Sequence, residues 1–231
     1  MKKFIISLIV IIFVLVSVPP KAFTDNKTYA ILGDSWSTFK DYTENPWYPS
    51  IWTDCEGYGS GNDVLYVQDT WWHPLNIIEN RSYSGSPICY DGYGAGNEDA
   101  IKYSFVTRVQ GITTQADVII VQGGLNDGAA GAGLGEYKWN DWTEEDFTCF
   151  RPALAYVLWY LEENTDSEIL FIKCTCMNED ISNSIDVICK YYNVPILELH
   201  DIELTKWHPN RNGMKEIRKQ LIEYEINKEG G

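Results

Sequence analysis

Residues 117–122 read Asp-Val-Ile-Ile-Val-Gln and stop at Gly123-Gly124. The four central residues are all β-branched and leave no polar face, which is the pattern of a strand buried on both sides of a parallel sheet. A second run, Glu-Ile-Leu-Phe-Ile-Lys at 168–173, has the same character, and shorter apolar runs at 29–32, 75–79 and 195–199 alternate with amphipathic stretches. The spacing predicts helices over 98–110, 144–163, 180–192 and 210–227. Strands alternating with helices of this length give an α/β fold: three layers, α/β/α, around a five-stranded, mainly parallel sheet. At 231 residues the chain has room for one such domain, given a usual domain size of roughly 100–200 residues.

The amino-terminal 22 residues stand apart. Lys2 and Lys3 precede an apolar run over 4–18 that ends at Pro19-Pro20. A basic start followed by a run shorter than the roughly 20 residues that span a bilayer predicts an export signal. No clean small-x-small site follows, so an uncleaved tether is the alternative reading. The catalytic or binding domain is then 23–231, outside the cytoplasm: secreted, periplasmic or at the cell surface. Beyond that first segment nothing calls for a membrane partner. Loss of Lys2, Lys3 and Lys21 takes the formal charge from −15 to −18. Such a surface repels nucleic acid, anionic lipid and strongly acidic polysaccharide, leaving small molecules or neutral polysaccharide as partners.

Six cysteines (55, 89, 149, 174, 176 and 189) in an exported chain allow one to three disulfides, with buried free thiols as the alternative. There is no CxxC pair and no HExxH, so neither a metal, another cofactor nor dithiol redox chemistry is expected. Between 36 and 72 lies an irregular stretch holding five of the nine tryptophans. Trp36, Trp47, Tyr48, Trp52, Trp71 and Trp72 could stack on sugar rings or line an acyl pocket, or else form a satellite core beneath a long loop. A glycine-rich stretch at 128–135 reads as a mobile loop over the same sheet edge.

In open parallel sheets the site forms at the carboxyl ends of the strands. Four short motifs fall there. Gly33-Asp34-Ser35 follows the first strand, and a Ser-Gly turn, Ser84-Gly85, follows the second. Gly124-Leu125-Asn126-Asp127 follows the third, and His208-Pro209-Asn210 precedes the last helix. In this order they resemble the four sequence blocks of the SGNH (GDSL-type) hydrolase superfamily, over nearly the whole chain from Gly33 to Gly213. The resemblance implies a flavodoxin-like SGNH hydrolase fold and a serine esterase. It makes Ser35 the nucleophile and His208 the general base. The N–H groups of Ser35 and Gly85 and the side chain of Asn126 become the oxyanion hole. His200 is a second candidate base, and His73 reads as a surface residue.

One position departs from the family pattern. An Asp usually stands three residues before the His, and here that residue is Thr205. A backbone carbonyl near Thr205 could orient His208 as a dyad, Asp201 or Glu203 could swing in, or the site could be degenerate. Trp36, Trp71, Trp72 and Trp207 are the candidate substrate contacts. The substrate reading is O-acetyl esters of carbohydrate. The alternatives are a catalytically lapsed glycan-binding protein and a short-chain lipase or thioesterase.

Overall fold

The computed structural model describes residues 26–39, 63–92, 98–112 and 115–229. The amino-terminal segment and residues 40–62, with Trp47, Tyr48, Trp52 and Cys55, lie outside them. Five strands form one sheet: β1 (Thr28–Gly33), β2 (Asn76–Asn80), β3 (Val118–Gln122), β4 (Glu168–Lys173) and β5 (Ile196–Glu198). Every pairing is parallel, in the order β2-β1-β3-β4-β5. Strand order reverses between β1 and β3, which marks the crevice where such folds bind ligands.

The period-two alternation of the strands divides the core in two. Ala30, Leu32, Ile119, Val121, Ile169 and Phe171 face one layer, packed by α2 (Phe105–Val109), α4 (Phe150–Asn164) and α5 (Glu179–Tyr191). Tyr29, Ile31, Val118, Ile120, Leu170 and Ile172 face the other, where the long helix is α6 (Arg211–Glu229), contributing Met214, Ile217 and Leu221. Among the described residues that side has one long helix, and Trp36, Trp71, Trp72, Val64 and Leu75 add to its cover. Trp36 and Trp71 are at most 1 % exposed. Each indole N–H has a carbonyl partner, as a buried Trp needs: Trp71 donates to Trp36 over 3.0 Å and Trp72 to Ser37 over 2.9 Å. These three rings are therefore a core layer, and the expectation that they contact substrate is corrected.

Three further expectations change. The helix read over 98–110 is two, α1 (Glu98–Tyr103) and α2, because Ser104 breaks it and caps the second by accepting from Thr107 N. The glycine-rich stretch holds a short helix, α3 (Leu125–Ala130), and then a packed loop. The carbonyls of Gly133 and Leu134 accept from Phe150 N and Arg151 N over 2.8 and 2.9 Å, satisfying amides that the first turn of α4 leaves unpaired. Lastly, Cys89, Cys149, Cys174, Cys176 and Cys189 are all free thiols, so no disulfide joins the described cysteines.

Candidate active site

Gly33 ends β1 with no room for a side chain: a Cβ there would lie 2.6 Å from Ser82 Oγ and 2.7 Å from Ser37 Cβ. The chain then turns through a single 3-10 turn, Ser35–Ser37. Asp34 caps it, its Oδ1 accepting from Trp36 N and from Gln122 Nε2, both over 2.9 Å. Gln122 Oε1 in turn accepts from Ser37 Oγ over 2.7 Å, so the last side chain of β3 grips the turn on both sides of Ser35. Thr38 closes it through Oγ1 to the Ser35 carbonyl over 2.9 Å. Ser35 is held at 6 % exposure. Burial pushes the Asp34 carboxyl up to about 6, against the pull of the Trp36 N–H, the Gln122 amide and the Arg108 charge.

His208 arrives on an element the sequence did not announce. β6 (Leu204–Thr205) and β7 (His208–Pro209) form a small antiparallel hairpin, with Thr205 directly opposite His208. Lys206 turns it with φ of 59°, a left-handed conformation that a Cβ disfavours. The hairpin is braced from several directions. The Trp36 indole donates to the Trp207 carbonyl over 3.0 Å. Glu203 accepts from Asn210 Nδ2 over 2.5 Å and from Asn212 Nδ2 over 3.4 Å. Asn210 Oδ1 caps α6 by accepting from Asn212 N and Gly213 N. Arg211 pairs with Asp69 over 2.9 Å, pinning α6 to the far end of the aromatic stretch.

The result is a separation of 3.0 Å between His208 Nε2 and Ser35 Oγ. Burial holds the imidazole down to about 4, so at neutral pH it is uncharged. With its proton on Nδ1, a neutral ring presents Nε2 as an acceptor to the hydroxyl. The other acidic candidates go elsewhere. The Asp201 side chain is 95 % exposed and pairs with His200 over 3.1 Å, and Glu203 is spent on the two asparagines. His200 is itself exposed, as is His73.

Gly85 sits at the third position of a turn closed by Ser86 N donating to the Tyr83 carbonyl over 3.2 Å. Its φ of 78° requires glycine there. Tyr83 N donates to the Gly33 carbonyl over 3.0 Å, joining this turn to the strand that carries Ser35. From α3, just after the third strand, Asn126 Nδ2 donates to the Ser86 carbonyl over 2.9 Å, leaving its second N–H for another acceptor. The neighbouring Asp127 is fully buried and accepts from Ile88 N and Cys89 N, fixing the chain beyond the turn; burial raises its carboxyl. Trp207 is 75 % exposed beside His208, in contrast to the other three tryptophans proposed for substrate. Among the described residues no group of three or more His, Cys, Asp or Glu is arranged to hold a metal ion.

Two residues that build this arrangement belonged to no motif: Gln122 and Arg108. Polar residues interrupting apolar runs, such as Arg108 between Val106 and Val109, were the available hint.

The sequence profile of the family described as GDSL-like Lipase/Acylhydrolase matches residues 27–225. A candidate GDSL-like lipase from Bacteroides uniformis is similar in structure, with a TM-score of 0.78 and 36 % identity, over 89 % of this chain and 98 % of that one. A second, from Bacteroides ovatus, gives 0.77 and 36 % over 87 % and 98 %. A carbohydrate acetylesterase from Sinorhizobium meliloti shares the fold alone, at 10 % identity and a TM-score of 0.51 over 87 % and 99 %. No curated protein sequence matches. The profile match over most of the chain, on a parallel sheet where the serine just after the first strand faces a histidine, makes this protein a member of the GDSL-like lipase/acylhydrolase family, within the SGNH superfamily, and an ester hydrolase.

Proposed function

We propose that the protein is a serine esterase working through an acyl-enzyme, with Ser35 as nucleophile and His208 as general base. The observation that carries this reading is the 3.0 Å approach of Nε2 to Oγ by a histidine kept neutral through burial. A serine hydroxyl is a weak nucleophile until a base takes its proton. His208 takes it as Oγ attacks the ester carbonyl. The oxyanion that forms is met by the N–H groups of Ser35 and Gly85 and the Asn126 amide, donors fixed before the reaction begins. Collapse breaks the bond to the alcohol, which leaves with the proton from Nε2, and water repeats the cycle to release the acid. Orientation of the ring falls to the hairpin main chain around Thr205, so the pair works as a dyad. The substrate we favour is an O-acetylated neutral polysaccharide outside the cytoplasm. The exposed Trp207 indole beside His208 supports it, as does an acidic chain that repels anionic polymers.

A second reading has one observation in its favour. Thr205 stands where the family usually has Asp, which suits a fold whose catalysis has lapsed and which only holds glycans. Hydrolysis of p-nitrophenyl acetate by the wild type and by Ser35→Ala separates the two. The esterase reading expects the variant to fall to the uncatalysed rate, and equal rates would remove it.

A further inference from the structure

Arg108 takes no part in the chemistry above, yet it is 3 % exposed and bonds to residues beside Ser35 and Gly85. Its guanidinium lies 4.5 Å over the Phe105 ring. From there Nε donates to the Tyr103 carbonyl over 2.7 Å and Nη1 to the Gly33 carbonyl over 3.2 Å. Nη1 also donates to the Arg81 carbonyl, and Nη2 to Ser86 Oγ over 2.6 Å. Its acceptors lie on separate segments: the break between α1 and α2, the end of β1, the end of β2, and the turn after Gly85.

The guanidinium is planar and its donors point in fixed directions, so acceptors gathered on it are held at fixed spacings. Gly33 is two residues from Ser35, Ser86 is one residue from Gly85, and the Ser86 carbonyl is the acceptor for Asn126. All three oxyanion donors are thus referred to one buried side chain.

We propose that Arg108 is a positioning residue for the oxyanion hole, setting the distance from the Ser35 N–H to the Gly85 and Asn126 donors. The inference rests on the esterase reading. Its effect falls on the tetrahedral intermediate, which needs donors within a few tenths of an ångström, and not on the bound ester. A misplacement of about 1 Å is enough to cost on the order of 100-fold in rate.

The test pairs Arg108→Lys, which keeps the charge and loses the fork, with Ser86→Ala, which removes the Nη2 contact together with the Ser86 Oγ bond to the Tyr83 carbonyl and is the milder change should the first not fold. Kinetics on p-nitrophenyl acetate are read beside thermal melting and inhibition by phenylboronic acid, whose serine adduct is tetrahedral. Ser86→Ala should melt as a folded protein, lose about 10- to 100-fold in kcat with KM within about twofold, and bind the boronate weaker by a similar factor. Arg108→Lys, if folded, should do the same. Folded variants that keep wild-type kcat, or that change KM alone, overturn the proposal. So does a loss of rate with boronate affinity unchanged. If Ser35→Ala retains activity, the esterase reading itself has failed, an outcome distinct from a folded Arg108 or Ser86 variant that keeps its rate.

Discussion

The indole of Trp36 donates to the main-chain carbonyl of Trp207 over 3.0 Å, so the residue after Ser35 is bonded to the residue before His208. The two loops are 171 positions apart in the chain. This is a direct hydrogen bond between the nucleophile turn and the hairpin of the base, and the ring that makes it is buried in the core.

Replacing Trp36 by Phe keeps an aromatic ring in that layer and removes the bond. The lost hydrogen bond costs about 1 kcal/mol and the smaller ring adds a cavity penalty. Urea unfolding should show a destabilisation of about 2–3 kcal/mol, and kcat should fall about tenfold with little change in KM, because a loosened base is felt in the transition state. An unchanged kcat in a folded variant would mean that the hairpin is held well enough by Glu203 and Arg211 alone.

Two ionisable groups of the site, His208 and Asp34, pull stability in opposite directions with pH. His208 is held at about 4, below its ordinary 6.5, so between these values the unfolded chain binds the extra proton. Its contribution is present above pH 6.5 and lost as pH falls through 4. Asp34 is raised to about 6 from 3.8, so its contribution is present below 3.8 and lost as pH rises through 6. Relative to wild type, Asp34→Asn should therefore gain on the order of 3 kcal/mol on moving from pH 3.5 to pH 8. His208→Asn should lose the acid sensitivity between pH 6.5 and 4. Unfolding curves at these pH values check both, and parallel curves for variant and wild type would refute the assignments. In the free enzyme, the acid limb of kcat/KM that reports His208 should likewise lie below 6.5.

Thr205 faces His208 across the hairpin, which makes Thr205→Asp a test of gain of function. A carboxylate there would stabilise the imidazolium, so kcat should rise about tenfold while the acid limb moves to higher pH. Asp201→Ala should leave kcat within about twofold, since that side chain is at the surface beside His200. Loss of activity in Asp201→Ala equal to that of His208→Ala would restore a triad in place of the dyad.

Trp207→Ala should leave the melting temperature unchanged, because the ring buries little. If the indole stacks on a sugar, KM for an acetylated neutral polysaccharide should rise about tenfold, while kinetics on p-nitrophenyl acetate stay within about twofold. Equal effects on both substrates would argue against a glycan contact.

The sheet was legible in the sequence because strands covered on both faces are continuously apolar. Residues 168–173 match β4 at both ends, and 117–122 differs from β3 by one residue. The hairpin of His208 was not legible: its turn is Lys206-Trp207, with none of the glycine or asparagine that usually marks such turns. The tryptophans were left between substrate and core for a different reason. Whether an aromatic ring meets substrate or core depends on how many helices cover the adjacent face, and only the assembled layers show that α6 leaves room for Trp36, Trp71 and Trp72. The motif residues Ser35 and His208 were readable as motifs. The groups that hold the turn of Ser35 and the strand end before it, Gln122 and Arg108, take their meaning from partners 85 and 75 positions away.

The unbonded cysteines offer a practical handle. Cys89, Cys174 and Cys189 are buried and Cys149 is half-covered, whereas Cys176 is exposed on the loop leaving β4. Since the five strands of the sheet run the same way, that loop opens on the same rim as Ser35. A maleimide dye attached at Cys176 would place a fluorescent reporter at the mouth of the crevice, where occupancy by an ester or an inhibitor can be followed by light.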